Sequence, residues 1–77
     1  MMQYNDGQEI RADDSVLIDN GERTAVVEDV IDNDAKRQQW GVDEPGVMIT
    51  SEYYGRRFLC MEELRYEEVR LLSRSKK

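Results

Sequence analysis

Ser15-Val16-Leu17-Ile18-Asp19-Asn20-Gly21, followed by Glu22 and then Arg23 to Ile31, is the stretch that decides the fold. Val16 and Ile18 share one face of an extended segment, because side chains alternate along a strand. Asn20-Gly21 is a tight-turn dipeptide, since both residues tolerate positive φ. The segment beyond the turn is rich in β-branched residues. Its alternation breaks at Glu28-Asp29, between Ala25-Val26-Val27 and Val30-Ile31, which predicts a bulge or sharp bend. A second signal lies downstream, where Trp40-Gly41 and a short loop lead into Gly46-Val47-Met48-Ile49.

From these two anchors the rest of the chain is placed as short strands. Gly46 to Ser51 reads as strand three. A reversal over Glu52 to Gly55 leads to strand four, Arg56 to Met61. Glu62-Glu63-Leu64-Arg65 suits a short helical turn, and Val69-Arg70-Leu71-Leu72 reads as strand five. A helix over 61–72 competes, because Leu64, Val69 and Leu72 would share a face. Residues 32–45 form a long polar connection with room for one helical turn. Loops of that length in small domains are often functional. Asn5-Asp6-Gly7 signals an early turn, with Ile10 anchoring a short extended piece. The expected architecture is mainly β: one small, highly bent barrel of five short strands over 1–73, with a long loop between strands two and three. Residues 74–77 read as a flexible, solvated tail.

Composition narrows the function classes. The chain has 77 residues, one cysteine (Cys60), no histidine and a net charge of −6. A chain this short buries only about 60% of the surface it exposes when unfolded, so its core is thin. A single cysteine excludes an internal disulfide and a cysteine-rich zinc site. Without histidine, imidazole metal ligation and general-base chemistry are unavailable. The N-terminal residues lack a basic start and an apolar run, unlike a secretory signal. No apolar stretch approaches the ~20 residues needed to span a bilayer. A reducing, cytoplasmic setting is the expectation.

Charge is unevenly spread. Residues 1–34 carry ten Asp and Glu against two Arg, a balance of −8, whereas residues 35–77 carry seven acids against nine bases, a balance of +2. The acidic half repels a phosphate backbone and suits a basic protein partner through electrostatic steering.

Three candidate chemistries each have a simpler reading. Asp32-Asn33-Asp34 resembles the opening of a calcium loop, but Lys36 and Arg37 then fall where a carboxylate-type ligand and a glycine are needed. No metal or other cofactor is expected. Cys60 lies within strand four with no histidine to activate it, and no phosphate-binding glycine pattern occurs, so the reading is not an enzyme. Tyr53, Tyr54, Arg56 and Arg57 form the one basic and aromatic cluster, a conceivable nucleic-acid face. Glu52, Glu62 and Glu63 flank it and partly cancel its field, so a twisted hairpin with cross-strand pairs is preferred. Trp40 suits either a core role, capping one open barrel end, or an exposed interface role. The core role is preferred.

The strand order resembles that of SH3-like barrels. More closely, the chain resembles a group of small bacterial proteins patterned as Tyr4-x-Asp6-Gly7-Gln8-Glu9-Ile10-Arg11, Asp14-x-Val16, Gly21, Val26-Val27, Trp40-Gly41, Gly46-Val47-Met48-Ile49, Gly55 and Glu62-Glu63. The resemblance implies an immunity-type role, since many such proteins are encoded beside polymorphic toxins. Thr24 departs from the glycine that this group and KOW-type barrels tend to carry, which weakens a KOW reading. The expected function is therefore a non-catalytic protein-binding module that neutralises a basic toxin. Its expected contact residues are Asp29, Asp32, Asp34, Trp40, Asp43 and Glu44. The alternatives are a KOW-like domain touching RNA or ribosomal protein, or a small homodimer. No membrane partner is expected, and the chain is expected to be a monomer or weak homodimer.

Overall fold

The computed structural model describes residues 2–74. Five strands form one antiparallel sheet in the order β4-β3-β2-β1-β5. They are β1 (Ser15–Ile18), β2 (Arg23–Ile31), β3 (Gly46–Ser51), β4 (Gly55–Cys60) and β5 (Arg70–Ser73). Helix α1 (Asp34–Trp40) connects β2 to β3, and helix α2 (Met61–Tyr66) connects β4 to β5. The mainly β expectation holds. The sheet is not closed, however, because β4 and β5 end the order as its two edges.

The break in alternation at Glu28-Asp29 is a register shift. Val27 pairs with Ile49 and Asp29 pairs with Met48, with the irregularity between them. The extra residue lets Val27 and Val30, three positions apart, both face inward. Val16, Ile18, Ala25, Val27, Val47, Ile49 and Leu59 form the inner face of the core. Met2, Tyr4 and Ile10 cover it from the N-terminal segment, and Leu64 and Val69 from α2 and the turn after it.

Met48 and Ile31 are buried but lie outside that cluster. Alternation explains why. Met48 sits between inward Val47 and Ile49, so it faces the other side, opposite Phe58 in the β3–β4 register. The sheet thus has a small second apolar layer beneath α1, which packs against β2. Gly46 is required there by close approach. A Cβ at that position would stand 2.8 Å from the Phe58 ring and 2.2 Å from the Leu59 carbonyl oxygen.

Two local expectations change. The first hairpin closes through a 3₁₀ turn, Asp19–Gly21, rather than a two-residue Asn-Gly loop. Asp19, Asn20 and Gly21 all have positive φ, at 52°, 56° and 88°. The 32–45 connection holds seven helical residues rather than one turn. Asn33 caps the helix by accepting the Lys36 amide at 2.9 Å, and Gly41 ends it at φ 69°. The helical turn expected at 62–65 and the strand after it are both present, so the single helix over 61–72 is not adopted. Of the tail expected at 74–77, Arg74 is ion-paired to Asp14, and residues 75–77 lie outside the described residues.

Candidate functional site

The bulge in β2 turns Asp29 toward α1. Its carboxylate accepts Lys36 Nζ at 2.8 and 3.1 Å, Trp40 Nε1 at 2.9 Å and the Val30 amide at 2.9 Å. Lys36 and Trp40 reach it together because residues four apart share a helix face. Burial alone would raise the Asp29 pKa. The donors from Lys36, Trp40 and Val30 outweigh it and hold the carboxyl below the usual carboxylate range. From the other side, the Arg56 guanidinium lies 5.4 Å from the Trp40 ring centre and donates through Nε to Glu28 at 2.9 Å.

Trp40 is therefore half-buried on the outer face rather than a plug in the core. The core role preferred for it from sequence is corrected, because α1 runs two turns and carries the indole to the outer face beside Asp29. Asp29 is likewise an internal anchor, with its side chain only 19% exposed. The other four acids named as contacts are exposed. Asp34 and Asp43 line one shallow depression of about 400 Å³ with Arg37, Gly41 and Val42. Asp34 also pairs with Arg37. Among the described residues Asp32 is held only by Asn33 Nδ2 at 3.2 Å, and Glu44 is open to solvent without lining that depression. The outcome is two contact candidates brought together, two beside them, and two that position the element.

Tyr53, Tyr54, Arg56 and Arg57 are not brought onto one face. Arg56 and Arg57 are consecutive in β4 and point to opposite sides. Arg56 meets Glu28 and Trp40, whereas Arg57 pairs with Glu67 at 2.8 Å and lies 5.3 Å from the Tyr54 ring. The Tyr54 hydroxyl donates to Asp19, and this bond raises its pKa. Arg23 lies 3.5 Å over the Tyr53 ring, which meets Tyr54 edge-on at 4.7 Å. Every arginine near these tyrosines faces a carboxylate.

One cluster carries no mark in the sequence reading. Asp14 is fully buried, and its carboxylate accepts Tyr4 Oη at 2.6 Å, the Arg11 amide at 3.0 Å, and Arg74 Nε and Nη2 at 2.9 and 3.2 Å. Arg74 Nη2 also donates to the Glu9 carbonyl at 2.6 Å. Burial alone would raise the Asp14 pKa, but Arg74, Tyr4 and the Arg11 amide lower it below the usual range. The Tyr4 hydroxyl is pushed well up, first by burial and then by its bond to Asp14. The available signal was parity, since Asp14, Val16 and Ile18 alternate onto one face.

Among the described residues, no three His, Cys, Asp or Glu side chains are grouped to hold a metal ion. No described helix is long and apolar enough to cross a membrane. No family model, curated protein or solved structure matches the chain.

Proposed function

We propose that this protein is a non-catalytic module that binds a basic protein partner through the α1 face. The observation that carries the reading is the pairing of exposed Asp34 and Asp43 in one depression. Asp34 opens α1, which Asp29 pins to the sheet, and Asp43 lies in the loop just after it. Arg37 pairs with Asp34, so Asp43 carries the unmatched charge of the depression. Preorganised acidic groups speed encounter with a basic surface and lose little side-chain freedom on binding. Asp32 and Glu44 extend the negative field at its margins.

The specific form of the proposal is an immunity-type protein acting in the cytoplasm. It would cover the active site of a toxin whose own surface is positive because it handles nucleic acid. The sheet would then serve as a curled, SH3-like barrel scaffold for one presented helix. An RNA-contacting role draws less support, because Arg56 and Arg57 lie on opposite faces and each is matched by a carboxylate.

The test is co-expression with the product of the adjacent gene, followed by calorimetry. Protection of the host and binding tighter than micromolar are expected. Asp34→Lys combined with Asp43→Lys is expected to weaken binding by about a hundredfold, as like charges meet across the interface. No protection together with no binding at micromolar concentration would end the proposal.

A further inference from the structure

We infer that the groove between the first hairpin turn, β4 and α2 is a second docking surface, suited to a lysine- or arginine-bearing segment of a partner protein. The groove has a volume of about 590 Å³ and is lined by Asp19, Arg57, Glu62, Glu63, Tyr66 and Glu67. Tyr66 is 88% exposed, the most exposed large apolar side chain among the described residues. It lies outside the core, to which α2 contributes Leu64.

The recognition chemistry is already displayed by the protein's own arginines. Arg23 lies over Tyr53 and pairs with Asp19 at 3.4 Å. Arg57 lies near Tyr54 and pairs with Glu67 at 2.8 Å. Each is a cation held between an aromatic ring and a carboxylate, an arrangement in which ring attraction and ion pairing add. Tyr66 and Glu62 form a third ring–carboxylate set. They are four residues apart on α2 and so share a face. The described residues bring no cation to it.

The charge balance selects the occupant. Arg23 offsets Asp19 and Arg57 offsets Glu67, which leaves Glu62 and Glu63 to set the sign of the groove. Glu63 accepts the Cys60 amide at 3.3 Å through one carboxylate oxygen, and no described cation pairs with it. A lysine or arginine entering here sets its charge against Glu62 and Glu63 and lays its alkyl stem along the Tyr66 ring. A phosphate backbone meets the same two carboxylates and is repelled. This surface is separate from the α1 face, because Arg57 and Arg56 point to opposite sides of β4.

The test uses the full chain, isotopically labelled, and the peptide acetyl-Lys-Ala-Arg-Ala-Lys-amide, read by amide chemical shifts. Saturable shifts centred on Asn20, Glu62, Tyr66 and Glu67 are expected, and a peptide with glutamine in place of each base is expected to give none. Tyr66→Ala, at an exposed site outside the core, is expected to weaken binding about tenfold, and Glu62→Gln by a similar factor. Asp34→Asn with Asp43→Asn is expected to leave the groove shifts unchanged. Failure of the groove is thereby separated from failure of the α1 reading. The inference is overturned by shifts spread over the whole acidic surface or centred on α1, by unchanged affinity in Tyr66→Ala, or by a single-stranded oligonucleotide shifting the same groove amides.

Discussion

Asp14 and Asp29 have nearly the same partners. Each carboxylate gathers one cation, one aromatic donor and one backbone amide: Arg74, Tyr4 and Arg11 for Asp14, and Lys36, Trp40 and Val30 for Asp29. They differ in how far the partners lie along the chain. Arg74 is 60 residues from Asp14, and Lys36 is 7 residues from Asp29. The first cluster ties the N-terminal segment, the approach to β1 and the residue after β5 to one buried point. The second fastens one helix to the bulge beside it. Closely similar chemistry thus holds the whole fold in one place and a surface element in the other. Chain separation and burial decide which.

The sharpest way to break that comparison is to neutralise each aspartate. Asp14→Asn removes a buried charge that accepts from Tyr4, the Arg11 amide and partly exposed Arg74, and is expected to cost about 3 kcal/mol or more. Chains of this size have a total stability on the order of 4–12 kcal/mol, so denaturant melts should show a large fall in midpoint. Asp29→Asn removes a half-buried charge from Lys36 and is expected to cost about 1.5–3 kcal/mol, confined to α1. Equal losses in the two melts would refute the distinction.

Acid titration sharpens it further. Both carboxyls titrate below their unfolded value of 3.8 in the native state. Their stabilisation is therefore complete above that value and is lost as pH falls through the lower folded values. The stability gap between the native chain and Asp14→Asn should be constant near neutral pH and shrink below about pH 4. A gap that widened on acidification would contradict the assignment. The smallest effect expected is Asn33→Ala, which removes the α1 cap at a cost of about 1 kcal/mol. It should loosen α1 in the same way as Asp29→Asn, but less.

The strands were legible because Val16, Ile18, Val47 and Ile49 keep a period of two, and the bulge because Val26-Val27-Glu28-Asp29-Val30 breaks it. The surface acids were legible as types, yet their grouping was not. Asp34 and Asp43 meet only because Asn33 and Gly41 bound a two-turn helix between them. Trp40 was misplaced for the same reason: its direction depends on α1, and α1 depends on Asp29. Arg56 and Arg57 were grouped by composition, although parity along β4 was enough to separate them. Asp14 illustrates a different limit. Parity put it on the core face, but its neutralising partner lies at Arg74, in a stretch that reads as tail.

Amide hydrogen exchange on Asp29→Asn tests the central claim most directly. If Asp29 holds α1 as a local unit on a sheet locked elsewhere, amides across Arg37 to Gly41 should exchange at least about tenfold faster, while those of Val47 and Ile49 keep native protection. Uniform acceleration through β3, or no change in α1, would contradict it.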